Sequence, residues 1–106
     1  MADVRLRLIN WRPVRKGKLY GFAVIEFAPI GLQMREIPVL KGEKSGPWAC
    51  VPTKPRLDAE GHQMREVDGS PRYDRILGWS SRRRESDFSA AVVALVRRRH
   101  PQDLDG

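Results

Sequence analysis

The chain holds one cysteine, Cys50, and two histidines, His62 and His100. A single thiol excludes an intrachain disulfide and suits a reducing compartment. One Cys and two scattered His residues give no zinc spacing. Cys50 itself reads as a small buried hydrophobe inside a strand. Long apolar runs are also lacking. The longest, Ala90-Ala91-Val92-Val93-Ala94-Leu95-Val96, is far below the roughly 20 residues that span a bilayer. The opening Met1-Ala2-Asp3-Val4-Arg5 has no apolar signal core, so nothing marks export, and a cytoplasmic location with no membrane partner is expected. The acids form no catalytic pair. Asp58, Glu60, Glu66, Asp68 and Asp74 alternate with cations and lack the fixed spacing of oxygens that a metal needs. No phosphate-binding loop, Gly-x-Ser-x-Gly elbow or dinucleotide fingerprint occurs. These absences lead to the expectation of a non-enzymatic protein with no cofactor, no metal and no small-molecule substrate.

What the chain has is positive charge. Its 106 residues suit one domain, expected over 1–101 with a disordered tail at 102–106, and carry a formal net charge of +7. The isoelectric point is about 10.3. Arg outnumbers Lys 15 to 5, and guanidinium forks match phosphate oxygens better than ammonium groups do. The cations cluster. Arg5, Arg7, Arg12, Arg15, Lys16 and Lys18 stand near the start, and Arg82–Arg84 and Arg97–Arg99 near the end. A basic chain with clustered Arg carries the electrostatic footprint of a nucleic-acid binder.

The periodicity predicts four or five strands followed by one helix. Val4, Leu6 and Leu8 alternate with Arg5 and Arg7, the pattern of a half-buried strand over 3–9. Pro13 and Gly17 mark 10–17 as a basic loop. Strands over 18–28 and 32–40, joined at Pro29-Ile30-Gly31, read as an antiparallel hairpin. After a turn at 41–47 comes a short apolar strand over 48–52, then a long loop over 53–71 with a small excursion of its own, then a candidate fifth strand over 73–79. From Ser80 the period changes. Phe88, Ala91, Val92, Leu95 and Val96 make one apolar helix face, with Ser80, Ser81 or Ser86 as candidate N-cap and Pro101 as the stop. This order implies an α+β fold, with an amphipathic C-terminal helix on one face of an antiparallel sheet. The open sheet edges of so small a chain suit pairing into a homodimer.

Several segments resemble the SpoVG (stage V sporulation protein G) family of bacterial regulators. The opening Asp3-Val4-Arg5-Leu6-Arg7-Leu8-Ile9 is similar to the family's first strand. Ile37-Pro38-Val39-Leu40-Lys41-Gly42 resembles its strand ending in a Val-Ile-x-Gly turn, and 46–54, Gly-Pro-Trp-Ala-Cys-Val-Pro-Thr-Lys, resembles its Gly-Leu-Phe-Val-Ala-Met-Pro-Ser-Lys segment. Asp74-Arg75-Ile76, Phe88 and Ala91-Val92-Val93 occupy similar places before and on the helix. The resemblance covers 3–96. It implies a dimer built through the sheet, and a role in sporulation, septation and gene regulation. It also implies DNA binding, with RNA as an open alternative, through the basic helix and the loop leading into it. The chain departs from the family in a longer loop between Pro52 and Asp74, in Asp87 where a basic residue is usual, and in lacking an acidic tail.

The candidate nucleic-acid contacts are Arg82, Arg83 and Arg84 before the helix face, Arg97, Arg98 and Arg99 at its end, and Arg5, Arg7, Lys16 and Lys18 as a basic sheet face. Solvated cations that pair with nearby acids, or simply suit the helix dipole, are the plainer reading of each group. Trp11, beside Arg12 in the expected loop, is the candidate to stack on unpaired bases, while Trp48 and Trp79 are assigned to core packing. A protein module whose basic face meets an acidic partner is the alternative reading.

Overall fold

A computed structural model describes residues 5–44 and 46–104. Asp3 and Val4 of the expected first strand, Ser45 of the expected turn, and Asp105 and Gly106 lie outside the described residues. The chain forms β1 (Leu6–Lys16), β2 (Leu19–Phe27), β3 (Leu32–Leu40), β4 (Trp48–Ala49), β5 (Thr53–Pro55), β6 (Tyr73–Arg75) and α1 (Arg82–Arg99). The first four strands make an antiparallel sheet in the order β1-β2-β3-β4, and β5 and β6 pair in a second small sheet. The α+β architecture with one C-terminal helix follows the periodicities in the sequence.

One face of the four-stranded sheet is apolar. Leu8 and Trp11 of β1, Ala23 and Ile25 of β2, Ile37 and Val39 of β3, and Ala49 of β4 are buried there. Phe88, Val92, Val93 and Val96 of α1 join the same cluster. Val92 and Val96 are wholly buried, each removing apolar surface worth about 1.5–3 kcal/mol. Ala91 and Leu95 lie half-buried at the flank of this face. A hydrogen bond from the Ala49 amide to Ser89 Oγ, at 2.8 Å, ties β4 to the helix.

Four expectations need correction. The basic loop at 10–17 is strand. Trp11, Arg12 and Pro13 pair with Ala23, Phe22 and Gly21. Pro13 is tolerated because β1 is an edge strand, where a missing N–H need not cost a ladder bond. The strand at 48–52 shortens to Trp48 and Ala49, which pair with Leu40 and Val39, and just beyond it the Cys50 amide donates to the Pro38 carbonyl at 3.4 Å. The fifth strand shortens to Tyr73–Arg75 and pairs with β5 outside the main sheet. The tail does not fray over 102–104. Pro101 ends α1, and Pro101–Leu104 form a 3-10 turn that buries Leu104.

The long loop at 53–71 is an arm of short backbone ladders. Bridges join Leu57 to Gln63 and Arg65 to Pro71. Asp58 Oδ1 accepts from the amides of Glu60 and His62, and Asp68 Oδ1 from that of Ser70, each at 2.9 Å. These side-chain turns are what close the tips.

Candidate nucleic-acid interface

The sequence Ser81-Arg82-Arg83-Arg84 sets the start of α1. Of the three candidate caps, Ser81 is the one used. Its backbone is extended and its Oγ accepts from the Arg84 amide at 3.2 Å. Arg82–Arg84 thus do not precede the helix but form its first turn, and all three are exposed. Among the described residues, their side chains have no hydrogen-bond or ion-pair partner. The amide dipoles make this end of a helix positive, so cations are least favoured there. Glu85 is the one acid in the turn. Three unpaired guanidiniums in a locally unfavourable place, above amides that favour anions, form a surface matched to phosphate.

The other candidates are more committed to the fold. Arg97–Arg99 occupy the last turn, where the dipole suits cations. Arg99 also donates to the Leu8 carbonyl at 3.2 Å, holding the helix end to β1. Arg7 pairs with Glu26, whose carboxyl is held below the usual carboxylate range first by that hydrogen bond and then by one from Gln33. Lys18 pairs with Glu43 at 3.4 Å, and Lys16 is exposed at the end of β1. Arg5 is exposed just before β1.

These residues do not form one patch. Arg7 and Lys16 stand about 30 Å apart along β1 at the rise of an extended strand, with register shifts between them. The two Arg triplets are separated by most of an 18-residue helix, about 22 Å between their centres.

Trp11 is no stacking platform. It is buried under the helix end, and its Nε1–H donates to Asp103 at 2.9 Å. The register shift between Leu8 and Asn10 turns Trp11 to the same inward side as Leu8, whereas strict alternation from Leu6 and Leu8 would place it outward. Of the tryptophans assigned to the core, Trp79 is half-buried and packs on Phe88 with ring centroids 4.9 Å apart. Trp48 is instead 42% exposed, because β4 is a two-residue edge strand. Cys50 is half-buried beyond β4, where burial first and the Glu85 charge second push its thiol up, away from a reactive thiolate.

Beside Arg84 opens a groove that no sequence motif announced. Leu6, Phe27, Leu32, Met34, Trp79 and Phe88 form its apolar lining, and Arg84 and Asp87 are its charged residues. Its volume is about 360 Å³. The groove joins the starts of β1 and β3 and the end of β2 to the first turns of α1, residues distant in sequence, so only the fold assembles it.

No protein-family model matches the chain, and comparisons with curated proteins and with solved structures find no match.

Proposed function

We propose that the protein is a cytoplasmic, non-enzymatic nucleic-acid-binding regulator of the SpoVG-like type, acting as a homodimer. The observation that carries this reading is the Arg82-Arg83-Arg84 triplet, exposed and, among the described residues, unpaired in the first turn of α1. Local helix energetics disfavour cations there, so a ligand that uses them supplies the reason for their presence. Phosphates of DNA are the matching ligand, with RNA as the alternative, because Arg forks pair with phosphate oxygens and helix N-terminal amides add donors. The net charge of +7 adds long-range attraction. Arg97 and Arg98 at the far helix end and Arg5 beside β1 extend the contact along a strand. The 11-residue edge strand β1 supplies a surface for pairing two copies.

The test measures binding of fluorescent single- and double-stranded oligonucleotides at two salt concentrations. Wild type is run beside a variant with Arg82, Arg83 and Arg84 changed to Ala. The expected result is binding that falls steeply with salt. The variant should bind more weakly, with a slope of log affinity against log salt reduced by about 2 for a single strand. Binding unchanged in the variant would move the site to Arg97–Arg99 or to the β1 end. No binding even at low salt would overturn the reading and favour an acidic protein partner.

A further inference from the structure

The groove beside Arg84 has a lining that phosphate contact does not use. Arg84, Asp87 and Phe88 are one turn apart along α1, at positions i, i+3 and i+4, and so project from the same side of the helix. Trp79 contributes ring surface, the buried Phe88 beneath it closes the floor, and Leu6, Leu32 and Met34 add apolar wall. Asp87 is half-buried and, among the described residues, has neither a hydrogen-bond nor an ion-pair partner. A carboxylate only accepts, and a half-buried one is costly without a donor. The groove's volume of about 360 Å³ is at the small end of organic ligand sites. A complementary ligand has three parts: a flat apolar body for the Trp79 ring, an N–H edge for Asp87, and an anion for Arg84 and its neighbours Arg82 and Arg83. One nucleotide with an unpaired base has all three.

We propose that this groove takes a single unpaired nucleobase of a single strand. The base lies against Trp79, an N–H of its pairing edge donates to Asp87, and the adjoining phosphate rests on Arg84. Every base carries an N–H on its pairing edge, and in a duplex the opposite strand occupies it. The groove therefore selects single over double strands and tolerates any base, as ring-stacking sites do. The inference rests on the nucleic-acid reading above and sharpens it.

The test compares two labelled oligomers of about 12 nucleotides with the same backbone charge, oligothymidylate and a strand built wholly of abasic sites. The native protein is expected to bind oligothymidylate about tenfold more tightly or better, with quenching of tryptophan emission that is lost in Trp79→Leu. Asp87→Ala should erase most of the difference, with circular dichroism confirming that each variant is folded. Equal binding of both oligomers by the native protein, with the Arg82–Arg84 dependence intact, would overturn the groove and leave the phosphate site standing. Binding of neither would overturn the nucleic-acid reading itself.

Discussion

Gly21 has no room for a β-carbon. One built there would stand 2.5 Å from the Arg12 carbonyl oxygen and 2.8 Å from the Trp11 ring. The edge of β1 thus lies closely on β2, and the Trp11 indole covers the glycine while its N–H reaches Asp103. Backbone cannot yield as a flexible side chain would. Gly21→Ala should therefore destabilise the fold by about 1–3 kcal/mol, read as a lower urea midpoint. Oligonucleotide affinity of the folded variant should be unchanged, since Arg82–Arg84 lie elsewhere. The same contact shows what residue identity did and did not reveal. Trp11 beside Arg12 has the composition of a base-stacking loop, yet its place on the inward side of an edge strand makes it core. Asp87 shows the converse, an ordinary acid near a helix start whose position at the groove rim gives it a donor to seek.

At the scale of the element, α1 combines a cap that stabilises it with charges that do not. Ser81 satisfies the Arg84 amide, and Arg97–Arg99 complement the negative end, but Arg82 and Arg83 oppose the positive end. Replacing both with Glu should raise Tm by roughly 2 °C or more while weakening oligonucleotide binding. A lower Tm would show that these arginines support the helix rather than a ligand. Most of α1 was legible in the sequence, because a 3.6-residue period over Phe88–Val96, a serine cap and a closing proline all agree. The extent of β1 was not, because Pro13 and Gly17 are breakers in isolation and are tolerated only at an edge strand and its turn.

At the scale of the whole molecule, the chain is less compact than its length allows. Its radius of gyration is 14.9 Å, against about 13 Å for a compact domain of this size, and its extents are 42 × 34 × 24 Å. The arm between β5 and β6 is almost wholly exposed, with Val67 and Leu57 in solvent and no member of the core cluster among its residues. Its ladders are local, so it can open while the sheet and helix stay closed. Limited trypsin digestion should cut first after Arg56 or Arg65, and the circular dichroism of the nicked protein should remain that of the native one. Early cleavage in β1 instead would show that the sheet edge is the weaker unit.

By itself the sequence determined the class of the fold, the hairpin of β2 and β3, the helix and its apolar face, and the positive charge. Each of these is a local pattern, carried by alternation, by helical period or by composition, and needs no knowledge of what packs against it. Only the tertiary structure decided that Trp11 is core, that β4 is a two-residue edge, that 101–104 fold back onto β1, and that Arg84, Asp87 and Trp79 share a groove. These depend on which residues distant in the chain meet, and burial and pairing across such distances are fixed by the packed sheet and helix together.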